Sequence, residues 1–145
     1  MSDVLTLSQI KMPGTARSKD DAIREAGEML VEAGAVTPAY IDSMFERERS
    51  VSTYMGNYLA IPHGTNESKE SIKRSALSVI RYDSPIDWDG NEVRFAMGIA
   101  GYQGGHMDIL SRVAILFSDT DEVDKLVAAQ SAEELFELLN AVNED

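Results

Sequence analysis

Residues 89–100 read DGNEVRFAMGIA, and this stretch decides the class of fold. From residue 93 to residue 100, apolar side chains occupy every other position, which is the pattern of a strand with one buried face. Asp89-Gly90 is a tight-turn signal, and residues 76–80 before it read as another strand. We expect the two strands to form an antiparallel hairpin, which makes the sheet mixed rather than purely parallel.

Outward from this hairpin, helical and strand-like segments alternate along the chain. The spacing of apolar residues predicts helices at residues 18–34, 37–49, about 106–117, 123–127 and 131–139, with Ser18, Thr37 and Ser131 as caps of the first, second and last. Further strands are predicted at residues 5–10 and 58–61, with residues 50–56 as a loop. Ser84-Pro85 and Trp88 are expected to fold over a sheet edge. The interleaving predicts one α/β domain, residues 1–145, with a mixed β-sheet flanked by helices on both faces.

The composition excludes several classes of function. The net charge of −12 argues against nucleic acid, because phosphate binding needs a basic surface. The sequence has no apolar run near the roughly 18 residues of a membrane helix, and its start does not resemble a signal peptide. Since it has no cysteine, it has no thiol nucleophile and no thiolate metal site. These features predict a cytoplasmic domain that is not membrane-embedded.

His63 is the strongest candidate for chemistry. Pro62 ends the apolar run at residues 58–61, and Gly64 then turns the chain outward, so His63 lies at the mouth of a strand. Histidine is well suited to accept and pass on a group near neutral pH, and its second ring nitrogen should donate to a backbone carbonyl that fixes the tautomer. The alternative is that a loop histidine merely caps a backbone group.

His106 and Arg47 are the other candidates. His106 begins a predicted helix, where free N–H groups attract anions, although it could equally be an ordinary first-turn residue. Arg47 belongs to the charged run at residues 46–49, which is usually a solvated face. It lies on the flank of the apolar stripe beside Tyr40, and arginine offers paired planar donors for phosphate.

Other site chemistries find little support. The glycines around residue 101 lack nucleotide-binding spacing, and no G-x-S-x-G elbow suggests a Ser–His–Asp hydrolase. Two histidines with a carboxylate could hold a metal, but no carboxylate has a familiar spacing from either ring. We therefore expect neither a metal nor a cofactor.

Four blocks of sequence carry a family resemblance: SMFERE (residues 43–48), TYMGN (53–57), AIPHGT (60–65) and GHM (105–107). In this order and at these intervals, they resemble the enzyme IIA component of the mannitol/fructose family of the bacterial sugar phosphotransferase system. The resemblance covers nearly the whole chain and is closer to the mannitol branch than to the fructose or nitrogen-regulatory branches. One departure is Asn57, where some mannitol-type members have an acidic residue.

The resemblance implies a phosphotransferase. His63 would be phosphorylated on Nε2 by the phosphohistidine of the small carrier HPr, and a cysteine of a IIB domain would receive the phosphoryl group. Arg47 and His106 would occupy the phosphate-stabilising positions, and Met55, Tyr58 and Leu59 could form an apolar docking patch. The implied outcome is uptake of mannitol or a related sugar.

Two other functions are compatible with the resemblance. The nitrogen-related branch uses the same fold as a regulatory module whose phosphorylation state controls binding to other proteins. A structural domain of an anion transporter is disfavoured, since the sequence keeps both histidines and has no membrane segment.

Overall fold

The computed structural model describes residues 4–65, 70–102 and 105–143, and all side chains among them except those of His106 and Ala141. The strands are β1 (Ile10–Lys11), β2 (Tyr54–Gly56), β3 (Leu59–Ala60), β4 (Ala76–Trp88) and β5 (Asn91–Ala100). The helices are α1 (Lys19–Glu32), α2 (Ala39–Ser50), α3 (His106–Phe117), α4 (Thr120–Ala128) and α5 (Ala132–Leu139). Short 3-10 turns span Leu7–Gln9 and Asn140–Asn143.

The strands form one five-stranded sheet in the order β1-β4-β5-β3-β2. β4 and β5 are antiparallel, whereas β1 is parallel to β4 and β3 is parallel to β5. Between β4 and β5, Asp89 (φ 56°) and Gly90 (φ 93°) both adopt the left-handed backbone that a type I′ hairpin turn requires. The predicted mixed sheet and the hairpin that makes it mixed are confirmed.

Helices cover both faces of the sheet, as predicted. The side chains of Phe95, Met97 and Ile99 pack in the core that β5 shares with α3, α4 and α5. Ala96 and Ala100 belong to the opposite core, which the sheet shares with α1 and α2. From Phe95 to Ala100, the alternation read in the sequence thus separates one core from the other, whereas Val93 lies in the core shared with α1 and α2, opposite to Phe95.

On the face of the sheet that α1 and α2 cover, small residues let α1 lie close to the strands. A Cβ added at Gly98 would lie 2.6 Å from Ser78 Oγ and 3.1 Å from the Ala26 carbonyl oxygen. Ser78 Oγ donates to that same carbonyl at 2.9 Å, which ties β4 to the middle of α1. Larger side chains at these positions would force the helix away from the sheet.

The predicted caps are confirmed at two helices and wrong at a third. Ser18 Oγ accepts from the Asp21 N–H before α1, and Ser131 Oγ accepts from the Glu134 N–H before α5. At α2, Thr37 makes no side-chain cap; its carbonyl oxygen accepts from the Tyr40 N–H at 3.0 Å.

Three predictions about strands need correction, and two of them concern the middle of the sequence. Residues 54–56 are not loop but strand β2, which forms a hairpin with β3. Ser84, Pro85 and Trp88 do not fold over an edge: they belong to β4, whose pairing with β5 is irregular between Arg81 and Ile86. Proline is tolerated there because an irregular segment does not need its N–H for the ladder.

The first strand is also shorter than predicted. Leu5 lies outside any strand and Leu7 begins a 3-10 turn, so that β1 is only Ile10–Lys11. Leu5 is nevertheless fully buried, which explains why its segment reads as an apolar strand. Among the described residues, no helix is both long and apolar enough to cross a bilayer.

Candidate active site

His63 lies at the edge of the sheet where β3 and β5 end side by side. These two strands are parallel, so the segments that follow them both leave the sheet at this edge. The Ile99 N–H donates to the Pro62 carbonyl at 3.1 Å, and His63 forms a parallel bridge with Ile99 beyond the end of β3. The histidine is half-buried.

The imidazole of His63 is oriented by its own strand. Its Nδ1 lies 2.8 Å from the carbonyl oxygen of Ile61, two residues earlier. A carbonyl can only accept, so Nδ1 must carry the proton, and in the neutral ring Nε2 then carries the lone pair. This is the tautomer expected for an Nε2 nucleophile.

The hydroxyl of Tyr40 binds both the residue that follows His63 and the strand that lies beside it. Its hydroxyl donates to the Ile99 carbonyl at 2.7 Å and accepts from the Gly64 N–H at 2.8 Å. Burial raises the pKa of Tyr40 to about 12, although the hydrogen bond from Gly64 partly opposes this. The hydroxyl therefore keeps its proton at neutral pH and remains a donor.

Arg47 lies in the last turn of α2 and is linked to the His63 strand through the following loop. One guanidinium nitrogen donates to the Val51 carbonyl at 2.8 Å. Two residues further, the Thr53 carbonyl accepts from the Ile61 N–H at 3.0 Å. Since Ile61 also binds the ring of His63, a short path of hydrogen bonds and backbone joins Arg47 to the imidazole.

Glu48 contradicts the interpretation of residues 46–49 as a solvated face. Its residue is 6% exposed, and its carboxylate accepts from the N–H and hydroxyl of Thr53 and from Trp88 Nε1. Lys19 Nζ lies 3.6 Å from the same carboxylate and partly balances its charge. Glu48 thereby holds the loop that connects Arg47 to β2.

His106 is the first residue of α3, as predicted, but its side chain lies outside the part that the structure describes. Gly105 precedes the helix, and its N–H donates to the Tyr102 carbonyl at 3.0 Å. The Tyr102 N–H in turn donates to Ser75 Oγ at 2.9 Å, which fixes the connection from β5. The start of α3 therefore follows closely on the strand end where His63 pairs.

Several apolar side chains on the segments connected to this site are exposed, although Tyr58 lies beside Arg94, towards the opposite end of β5. Val51 is 64% exposed, Met55 44% and Met107 59%, and Tyr58 and Tyr102 are also exposed. Leu59, predicted to join a docking patch, is instead fully buried in the core beneath β3. Successive side chains point to opposite sides of the backbone, so Leu59 points inward, away from the neighbouring Tyr58.

Asn57 has a structural reason to be an amide. It adopts a left-handed backbone (φ 50°) in the turn between β2 and β3, a conformation that asparagine tolerates well. Its Nδ2 donates to the Phe117 carbonyl at the end of α3, at 2.6 Å. A carboxylate could not donate this bond.

Sequence reasoning did not foresee Tyr40 and Glu48 as parts of this site. The tyrosine was expected only as part of the apolar stripe, although a buried hydroxyl normally needs a partner. Nothing in the sequence distinguishes Glu48 from Glu46, which is exposed. Within residues 4–65, 70–102 and 105–143, no group of three His, Asp or Glu side chains is arranged to hold a metal.

The family follows from comparison with known proteins. Residues 3–142 match the family model of the phosphoenolpyruvate-dependent sugar phosphotransferase system, EIIA 2. The chain belongs to this EIIA 2 family. The mannitol-specific phosphotransferase enzyme IIA component of Halalkalibacterium halodurans is 52% identical over 97% of both chains.

Solved structures of IIA proteins resemble the fold as a whole. A complex of enzyme IIAMTL and phosphorylated enzyme IIBMTL from Escherichia coli contains a chain that matches with a TM-score of 0.89 and 29% identity, over 94% of this chain and 97% of that one. The nitrogen regulatory protein IIA-Ntr from Neisseria meningitidis matches with a TM-score of 0.81 and 29% identity, over 94% and 96%. The family resemblance drawn from the four sequence blocks is thus confirmed.

Proposed function

We propose that this EIIA 2 protein is a cytoplasmic phosphoryl carrier that accepts a phosphoryl group from phospho-HPr on Nε2 of His63. It then passes the group to a cysteine of a IIB domain, for the uptake and phosphorylation of mannitol or a related sugar. The observation that carries the proposal is the bond between His63 Nδ1 and the Ile61 carbonyl, which makes Nε2 the nucleophilic atom.

The transfer itself needs little covalent help. The Nε2 lone pair attacks phosphorus in line with the nitrogen of phosphohistidine that leaves, so that one N–P bond forms as another breaks. Nδ1 keeps its proton throughout and goes on donating it to the Ile61 carbonyl. The transferred group moves between two side chains that need no nucleotide. Loss of the group to a IIB cysteine reverses this step, with sulfur as the attacking atom.

Arg47 and His106 are proposed to stabilise the charge on the phosphoryl oxygens. The guanidinium has five N–H donors, and its bond to Val51 uses one of them. His106 begins α3, where backbone N–H groups favour a negative charge. Support for their roles comes from the hydrogen bond of Arg47 to the loop before β2, from the place of His106 as the first residue of α3, and from the family resemblance.

The sugar is inferred from relatives. The similar proteins of Halalkalibacterium halodurans and Bacillus subtilis are named mannitol-specific enzyme IIA components, at 52% and 43% identity. The Escherichia coli complex pairs such a protein with phosphorylated IIB. A regulatory role of the nitrogen-related kind is the second candidate, supported by the structural match to IIA-Ntr.

The decisive experiment is phosphorylation of the purified chain with phosphoenolpyruvate, enzyme I and HPr. We expect one acid-labile, base-stable phosphoryl group on the wild type and none on His63→Ala, since the variant lacks the accepting nitrogen. Circular dichroism confirms that the variant is folded. Equal labelling of His63→Ala would contradict the assignment.

A second measurement separates transport from regulation. Membranes that contain a mannitol-type IIB and its permease domain are added to the phosphorylated chain together with radiolabelled mannitol. Formation of mannitol phosphate that depends on His63 supports the carrier. A phosphorylated chain that passes nothing to IIB, yet captures another protein in one phosphorylation state, would favour the regulatory role.

A further inference from the structure

Tyr40 joins three separate segments of the chain at one buried oxygen atom. Its side chain comes from the first turn of α2, and the residue is 2% exposed. The hydroxyl donates to Ile99 at the end of β5 and accepts from Gly64 in the turn after β3. Both bonds are short, at 2.7 and 2.8 Å, so the hydroxyl donates its one proton to one backbone group and accepts from another.

Both partners of this hydroxyl are directly connected to His63. Gly64 is the next residue in the chain, so the bond to its N–H fixes the peptide that follows the histidine. Ile99 is the bridge partner of His63, and its own N–H holds the Pro62 carbonyl on the other side. The backbone of His63 is therefore held on both sides, and the hydroxyl of Tyr40 closes the arrangement.

We propose that Tyr40 is a positioning residue for phosphoryl transfer: its hydroxyl fixes the turn that carries His63 against the end of β5, and so aims Nε2 at the incoming phosphorus. This rests on the proposed function of His63. Tyr40 does not touch the transferred group, because its oxygen is bonded to two backbone groups. Its effect is on the direction of the imidazole, to which in-line transfer is sensitive.

A merely structural role for the hydroxyl would have different consequences. A buried tyrosine that only satisfies core backbone groups would lower stability when changed to phenylalanine, without a specific effect on transfer. The chain offers a matched control in Tyr82, which is also 2% exposed. Its hydroxyl donates to Glu25 at 2.8 Å, in a bond that involves no segment next to His63.

The test compares Tyr40→Phe with Tyr82→Phe and the wild type. Rapid-quench measurements of transfer from phospho-HPr give the rate constant at saturation and the HPr concentration for half-maximal rate. We expect Tyr40→Phe to reduce the rate constant by about tenfold or more, because a misdirected nucleophile reacts slowly. Its half-saturating concentration should stay near that of the wild type, since the docking surface is unchanged. Tyr82→Phe should match the wild type in both.

A spectroscopic measurement reports the orientation directly. The sequence contains two histidines, so the imidazole ¹⁵N resonances of His63 are readily assigned. In the wild type and Tyr82→Phe, we expect the shifts of a ring protonated on Nδ1. In Tyr40→Phe, they should move towards a mixture of tautomers, because the loosened turn weakens the bond to Ile61.

The outcomes separate the two proposals. Failure of the wild type to accept phosphate would overturn the carrier function itself. Normal labelling of the wild type with equal rates and equal ¹⁵N shifts in both variants would overturn the role of Tyr40 alone. If Tyr40→Phe does not fold, 4-aminophenylalanine at position 40 serves instead. Its amino group restores a donor to Ile99 but not the acceptor for Gly64. A wild-type rate constant in this variant would likewise refute the role of Tyr40.

Discussion

At the scale of single residues, the imidazole of His63 depends on a carbonyl only two positions earlier in the chain. The position of this histidine was predictable, because proline at position 62 favours the end of a strand and Gly64 favours a turn. The hydroxyl of Tyr40 beneath it was not, since its partners Gly64 and Ile99 lie far from it in sequence. Local sequence therefore predicts the position of the proposed nucleophile but not the groups that support it.

Arg47 and His106 belong to this scale, and we expect Arg47→Gln and His106→Gln each to slow transfer from phospho-HPr. Loss of one charge-stabilising donor should cost about 10²-fold in the rate constant, by analogy with oxyanion-hole deletions. Arg49→Gln is the control, because Arg49 is an exposed neighbour in the same helix. Rapid-quench kinetics with unchanged thermal midpoints would support both roles, and rates equal to that of Arg49→Gln would exclude them.

At the scale of elements, the helices were easier to predict than the strand pairs. Ser18 and Ser131 cap helices through bonds to residues three positions on, so their effect is contained in a short stretch of sequence. β2 escaped prediction because three residues that end in a glycine show no alternation, and they become a strand only by pairing with β3. Glu48 was unpredictable for the same reason: Trp88, one of its partners, lies forty residues away.

Glu48 leads to a prediction about the loop after α2. In Glu48→Gln, an NH₂ group replaces one carboxylate oxygen, so the side chain can accept fewer of the bonds from Thr53 and Trp88, and Lys19 keeps only Asp89 as a charged partner. We expect the free energy of unfolding to fall by about 1–3 kcal/mol, as for a buried donor left without an acceptor.

Urea denaturation checks this value, with Glu46→Gln as the control because Glu46 is exposed. Hydrogen exchange adds a local measurement, since the Thr53 amide should exchange faster in Glu48→Gln alone. A variant as stable as Glu46→Gln, with a protected Thr53 amide, would show that the carboxylate does not hold the loop.

At the scale of the whole molecule, Glu25 fastens the amino-terminal segment to the core. From α1, its carboxylate accepts from the Thr15 N–H at 3.0 Å and from the Tyr82 hydroxyl of β4 at 2.8 Å, and it pairs with Lys11 Nζ of β1 at 2.8 Å. Burial opposes ionisation, but the bonds from Lys11, Thr15 and Tyr82 outweigh it and lower the pKa of Glu25 to about 2.

This depressed pKa predicts the direction of acid sensitivity. Because the folded protein binds the proton less readily than the unfolded chain, the carboxylate stabilises the fold above pH 4.5, and this contribution is lost as the pH falls towards about 2. We expect Glu25→Gln to be less stable at neutral pH and to lose less stability across that interval. Denaturation midpoints at several pH values measure it, with the exposed Glu28→Gln as control. Parallel pH profiles for the two variants would contradict the role of Glu25.

The carbonyl of Ile61 has one more consequence, for the order of events in the relay. In the proposed function, a ring held at Nδ1 presents Nε2 in one orientation, so the donor and the acceptor of the phosphoryl group would both have to approach Nε2 from the same side. The protein that donates the phosphoryl group and the protein that accepts it would therefore occupy the same space, so they would bind one after the other and not together. Steady-state kinetics should accordingly follow a ping-pong scheme, in which the phosphorylated protein dissociates from the donor before it binds the acceptor.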